Sequence, residues 1–200
     1  MSTEQKFIIR PATPTDMPAI LTMQARSLRT LGRGHYDPET LESVIAAGTA
    51  SPELLRGRRY RVAVLNHRIV GSGGWLDGGH SAPMPLARAA APAESGAGAA
   101  AVVRAIYVDP DMARRGIGTA IMASIERDAA VAGKSRALLL ATRMSVRFYS
   151  RLGYRSEGPL SLASADGPLV EVIAMSKALL PLPATRRLAR TGSEELVAAA

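Results

Sequence analysis

The stretch "VDPDMARRGIGTAI", Val108 to Ile121, decides how the chain is read. It closes an apolar run that reads as a strand, crosses Pro110, two arginines and two glycines, and enters a run of apolar residues at helical spacing. Ile117, Ile121, Ile125 and Ala129 fall on one stripe at i, i+4 spacing, so the helix after the glycines has an ordinary inward face. Its N-terminus is the functional question. The first N–H groups of a helix have no intrahelical partner, the macrodipole favours an anion there, and glycine lets an anion approach the amides. A lone G-x-G more often does nothing beyond turning the chain, so support must come from elsewhere in the sequence.

Two phosphate motifs fail on inspection. A dinucleotide fingerprint counted from Gly116 needs a small residue where Ile121 stands and an acidic residue further on, where "RALLLAT" has none. A Walker A loop needs lysine directly before the hydroxyl residue, and Gly118 precedes Thr119.

Upstream of the stretch, "KFIIR" reads as a short strand. "TPTDMPAILTMQARSL" then reads as a helix with Thr13 at the N-cap, Pro14 at N1 and Asp16 at N3, a capping box, although Pro18 restricts its first turns. "YDPETLESVIAAG" opens a second helix with Asp37 as cap, Pro38 at N1 and Gly48 as a stop. "RYRVAVLNHRIVGSGGWL" gives two strands joined at Asn66 and His67. Gly71, Gly73 and Gly74 in the second strand suggest a bulge or close packing, with packing favoured. Residues 77–101 are rich in Ala, Gly and Pro and read as a long loop, a lid or a neutral insertion, before the strand "VVRAIYV". Downstream, "RALLLAT" reads as a strand, "MSVRFYSRLG" as a helix, and "YRSEGPLSLA" and "PLVEVIAMSK" as strands around the turn "SADGP". Residues 1–180 are thus expected to form one domain and 181–200 a tail.

The chain has 200 residues and no cysteine, which excludes disulfides, thiolate metal sites and cysteine nucleophiles and agrees with a reducing, cytoplasmic setting. No apolar run approaches the roughly 20 residues of a bilayer span, so no membrane association is expected. Twenty-five Lys and Arg against seventeen Asp and Glu give a net charge of +8, which suits a nucleic acid, an acidic protein or a polyphosphate ligand, or simply a basic surface. Aromatic residues make up only 4% and are not interleaved with basic runs, which argues against nucleic acid. The three histidines, His35, His67 and His80, are scattered and no carboxylate cluster stands out, so no metal site is expected.

The segment "AIYVDPDMARRGIGTAIM" resembles the acyl-CoA-binding element of the GNAT acyltransferase superfamily, a strand ending in V-x-P followed by Q/R-x-x-G-x-G/A at a helix start. "RFYSRLGY", Arg147 to Tyr154, resembles the family's F-Y-x-x-x-G-F/Y element, and the order βααβββαβαββ over residues 6–178 fits as well. The stretches "GRGHYDPETLESVI" and "LLLATRMSVRFYSRLGY" further resemble a bacterial subgroup. The resemblance implies an α/β fold with a central mixed, mostly antiparallel sheet of about seven strands flanked by about four helices. It implies transfer of an acyl group, usually acetyl, from acetyl-CoA to an amine by direct attack. An acyl-CoA-binding protein with weak or regulatory activity is the alternative, and a homodimer is an assembly the family often forms.

Residue by residue, the resemblance puts Ile106, Tyr107 and Val108 beside the pantetheine arm. It puts Arg114, Arg115, Gly116, Ile117, Gly118 and Thr119 around the CoA diphosphate, and Tyr149 at the departing sulfur as general acid. A core aromatic is the competing reading of Tyr149. Arg143, Arg147 and Arg151, at i, i+4 and i+8, read first as a solvated face, with Arg151 a lesser candidate for the 3′-phosphate. His35, Tyr36, Glu42, Asp77 and Glu171 are candidates for the base, and sequence selects none of them. Ala113 stands where the family has Gln or Arg, Thr142 where many members have Asn, and Ser145 where Ala is common. Thr142 can still cap the following helix.

Overall fold

A computed structural model describes residues 6–47, 52–55, 58–78, 100–162 and 170–180. The 77–101 insertion apart from its ends, the Gly48 helix stop, His80, the "SADGP" turn and the 181–200 tail lie outside the described residues.

The elements in chain order are β1 (Ile8–Pro11), α1 (Met17–Leu31), α2 (Pro38–Ala47), α3 (Pro52–Leu55), β2 (Tyr60–Leu65), β3 (Arg68–Asp77), β4 (Ala100–Val108), α4 (Ile117–Val131), β5 (Arg136–Thr142), α5 (Val146–Arg151), β6 (Arg155–Leu162) and β7 (Val170–Ala178). The seven strands form one sheet in the order β1-β2-β3-β4-β5-β7-β6, and every pairing is antiparallel except β4 with β5. The single-turn helix α3 is additional to the expected order, because four residues are too few to show a helical period.

Local chemistry explains most boundaries. Asn66 and His67 both take positive φ, 47° and 62°, as a two-residue turn between twisted antiparallel strands requires. Asp37 caps α2 by accepting the Thr40 N–H at 2.8 Å. The first helix differs from the sequence reading. Residues Pro14–Asp16 form a 3-10 turn, and the α-helix begins only at Met17. An α-helix running from Pro14 would set the Pro18 ring against the Pro14 carbonyl four residues earlier. Asp16 still accepts the Thr13 N–H at 2.8 Å, and it also accepts Arg10 Nη1 and Nη2 at 2.7 and 2.8 Å. The Arg10 hydrogen bonds, helped by those from Thr13, hold the Asp16 carboxyl well below the usual carboxylate range.

Helices cover both faces of the sheet. On one face Ile20 of α1 and Leu54 and Leu55 of α3 pack with Tyr60, Val62 and Leu76. On the other, Ile117, Ile121, Met122, Ile125 and Ala129 of α4 are buried with Trp75, Val103, Leu139 and Tyr149. The expected α4 stripe is therefore core, with Met122 added to it. α4 lies very close to β3. A Cβ on Gly73 would stand 2.2 Å from Ile106 Cδ1 and 3.1 Å from Ile121 Cγ2, and one on Gly71 would stand 2.8 Å from both Ile117 Cγ2 and Ile121 Cδ1. The β3 glycines thus serve close packing, and two bulges lie beside them. Val70 is the extra residue against β2, while Ala105 and Ile106 together oppose Gly73 on the β4 side. Among the described residues no helix is long and apolar enough to cross a membrane.

Two outcomes test this packing. Gly73→Val should lower stability by about 1–3 kcal/mol in urea unfolding, because the core must shift to admit the side chain. Asp16, with its folded pKa depressed, contributes stability that is present above its unfolded pKa and lost as pH falls through the folded one. The Tm gap between the wild type and Asp16→Asn should therefore be full at neutral pH and should shrink as the pH is lowered below about 4.

Candidate functional site

The site begins where β4 and β5 part. Their parallel pairing covers only Ala100↔Arg136, Ala101↔Ala137 and Val102↔Leu138, whereas β5 stays paired with β7 as far as Thr142↔Val172. Beyond Val102, β4 stays bonded to β3, through Tyr107↔Ser72 and Val108↔Gly71. The edge of β4 over Ile106–Val108 that faces β5 is thereby freed. Divergence follows from the bulge, where Ala105 takes φ 55°, a left-handed conformation uncommon for a residue with a Cβ.

A buried polar group holds that bulge. Gln24 of α1 donates from Nε2 to Tyr60 Oη at 2.8 Å and to Ser72 Oγ at 3.0 Å, and Tyr60 Oη donates to the Ala105 carbonyl at 3.3 Å. All three side chains are buried, and burial pushes the Tyr60 phenol well above its usual pKa. Sequence reading missed this group, although Gln24 sits four residues after Ile20 on the apolar stripe of α1, and a polar residue there was its one visible signal.

At the end of β4 the chain makes a 3-10 turn, Pro110–Met112, closed by the Ala113 N–H donating to the Pro110 carbonyl at 3.2 Å. Ala113 therefore lacks a polar side chain and also has its amide engaged within the turn. Arg114 and Gly116 follow with φ 67° and 77°, and Arg115 between them is outside the positive region. Alternating handedness of this kind turns successive N–H groups toward one side and makes a concavity suited to an anion. The first bond of α4 runs from the Ala120 N–H to the Gly116 carbonyl at 2.9 Å, so the N–H groups of Ile117, Gly118 and Thr119 precede the helical ladder. The two glycines have different reasons. A Cβ on Gly116 would meet nothing within 4 Å, so backbone conformation selects glycine there. On Gly118 it would stand 3.1 Å from Phe148 Cζ, so close packing against α5 selects it.

That contact brings α5 to the turn. Tyr149 is 7% exposed, packs edge-on against Phe148 and Tyr154 with ring centroids 5.0 and 5.8 Å away, and has Tyr107 of β4 within electrostatic reach. Burial, and then Tyr107, push its phenol above the usual value. Val108 of β4, Gly118 of the turn and Phe148 of α5 are thus neighbours, with Tyr149 next along α5 and close to Tyr107. Tyr149 is a core aromatic on the helix that packs against the turn.

The expected arginine ladder is broken. Arg143 belongs to a 3-10 turn, Arg143–Ser145, and pairs with Glu171, while only Arg147 and Arg151 are on α5, both exposed. Thr142 does not cap the helix with its side chain. Its hydroxyl donates to Ser145 Oγ at 3.0 Å, and Ser145 in turn donates to the Thr142 carbonyl at 2.9 Å, a local exchange open to Ser but not to Ala.

Of the five base candidates, Asp77 stands opposite Ala101, the other end of β4 from Val108, roughly 23 Å along the strand. It is paired with Arg59 and Lys134. Glu42 is exposed and bonded to Arg29 at 2.7 Å, Glu171 is exposed and paired with Arg143, and His35 is exposed. Tyr36 is half-buried, its hydroxyl reaches the Thr142 side chain at the end of β5, and burial raises its pKa.

A family model described as an acetyltransferase (GNAT) domain matches residues 56–156, just over half of the chain. No curated protein matches the sequence. Among solved structures, the fold is similar to a GCN5-related N-acetyltransferase from Rhodopseudomonas palustris, with TM-score 0.65, 20% identity and coverage of 90% of this chain and 99% of that one. It is similar also to the PaiA N-acetyltransferase of Thermoplasma acidophilum, solved in complex with coenzyme A, with TM-score 0.64, 16% identity and coverage of 86% and 99%. An N-acetyltransferase from Staphylococcus aureus gives 0.59, 17%, 88% and 99%. At these identities the likeness is one of fold. The matched segment runs from the approach to β2 through α5 and includes the parting, the turn and Tyr149, and on that match the chain belongs to the GNAT acetyltransferase family.

Proposed function

We propose that the protein transfers acetyl from acetyl-CoA to a primary amine, of a small molecule or of a protein, by direct attack of the amine on the thioester. The observation that carries this reading is the β4 edge left unpaired by β5 beyond Val102, followed in the chain by the left-handed turn at Arg114 and Gly116 and the start of α4. The PaiA relative solved with coenzyme A supports the choice of donor.

The residues suit that donor. A diphosphate with a 3′-phosphate carries roughly −3.5 to −4 at neutral pH, and the N–H groups of Arg114–Thr119, with the Arg114 and Arg115 side chains, supply hydrogen bonds and positive charge. Ile106–Val108 offer backbone groups on the freed edge to an extended amide-containing arm, as a sheet does to an added strand. Acetyl-CoA supplies an activated acyl group and a thiolate leaving group.

Tyr149 then donates a hydrogen bond to the sulfur as charge develops on it. Full proton transfer from an ordinary phenol to an ordinary thiolate is uphill by about 2 kcal/mol. Burial raises the phenol further, and it raises the thiol in the same cavity for the same reason, since both anions lose water. Stabilisation of the developing thiolate is therefore the main contribution, and it is realised only in the transition state.

Tyr149→Phe should lower kcat by about 10²-fold in a thiol-release assay over an amine panel, with CoA affinity changed less than about twofold. Unchanged turnover would remove Tyr149 from the chemistry. Gly118→Val should weaken CoA binding at least about tenfold by calorimetry while the far-UV circular dichroism stays that of the wild type. Retained affinity would return the glycines to a purely structural part.

A further inference from the structure

Between the freed edge of β4 and the N–H-lined turn lies Asp109, a carboxylate that the chemistry above does not use and that is only 3% exposed. Its side chain accepts Arg26 Nη1 at 3.1 and 3.0 Å and the Asp111 N–H at 3.0 Å, with Arg68 Nη2 at 3.5 Å. Its own N–H donates to the carbonyl of Val70, the extra residue of the β3 bulge, at 2.9 Å, and its carbonyl accepts the Met112 N–H at 2.9 Å. The other arm of Arg26, Nη2, reaches Asp111 at 2.5 Å. One guanidinium on α1 therefore grips both acidic residues of "VDPD".

We infer that Arg26 is a positioning residue for the acyl-donor site, acting through Asp109 and Asp111 to fix the chain between Val108 and Arg114. The inference rests on the reading of the donor site given above. Two physical effects operate. The first is geometric: Asp109 ties the end of β4, the β3 bulge and the 3-10 turn together, and Arg26 anchors that knot to α1. The second is electrostatic. Asp109 and Asp111 place two negative charges beside the site for a polyanion, and Arg26 and Arg68 balance them. Without Arg26 the knot carries a net charge of −1 in the chain between Val108 and Arg114. Arg26 itself touches neither reactant, and its side chain is 42% exposed, but the Asp109 side chain it pairs is only 4% exposed and without it would keep Arg68 at 3.5 Å and the Asp111 N–H.

The test uses the full chain and CoA as the probe, by calorimetry, with thermal melts alongside. Arg26→Gln should weaken CoA binding about tenfold at a temperature where far-UV circular dichroism shows it folded, and it should also lower Tm because Asp109 loses its main partner. Arg26→Lys keeps the charge and can reach one carboxylate at a time, and it should recover affinity to within about threefold of the wild type. Equal CoA affinity in the wild type and Arg26→Gln would overturn the inference. So would an Arg26→Lys variant as weak as Arg26→Gln, because then charge balance plays no part. A wild type that binds no CoA would instead overturn the reading of the donor site itself, and this inference with it.

Discussion

The left-handed backbone at Ala105 is the constraint on which the rest of the architecture turns. A residue with a Cβ in this conformation costs about 1–2 kcal/mol relative to extended chain, and several neighbours must agree before it persists. Gly73 supplies the space opposite, where any Cβ would collide with Ile106. Gln24, Tyr60 and Ser72 supply buried hydrogen bonds that reach the Ala105 carbonyl. Once the bulge is fixed, β4 keeps its bonds to β3 and loses β5, and an opening in the middle of the sheet becomes compatible with a well-packed core on either side.

The same economy shows in α4. Its apolar stripe is fully engaged with β3 and the neighbouring strands, which leaves its N-terminus as the one end of the helix positioned at the opening. Arg114 and Gly116 bend the approach through left-handed backbone, and Gly118 lets α5 come close enough for Phe148 to pack over it. The turn, the freed edge and Tyr149 thus share one framework of packing contacts. α1 adds a second support from the other face, with Gln24 reaching the bulge and Arg26 reaching the end of the strand. Helix, sheet and turn are tied by side chains far apart in sequence.

Local sequence chemistry made much of this legible. The Asn66-His67 hairpin, the Asp37 cap, the α4 stripe and the strand boundaries of "RALLLAT" each follow from spacing or from a turn residue's preference, and each stands in the structure where those rules put it. Where two local rules competed, the reading slipped. The Thr13 cap argued for a helix at Pro14, Pro18 forbade an α-helical turn across it, and the chain resolved the conflict with a 3-10 turn. The arginine ladder failed for a related reason, since Arg143 belongs to a 3-10 turn rather than to α5 and is drawn to Glu171 on β7.

By itself the sequence determined most of the elements, the apolar faces and the motif that joins a strand to a glycine-containing helix start, because those depend on neighbours within a few residues. The parting of β4 from β5, the buried Gln24–Tyr60–Ser72 group and the grip of Arg26 on Asp109 were decided only by the tertiary structure. Each joins residues tens of positions apart, and no local preference encodes which side chain will be buried opposite which. Ala105 shows the difference most plainly: alanine has no preference for a left-handed backbone, and only the packing around it imposes one.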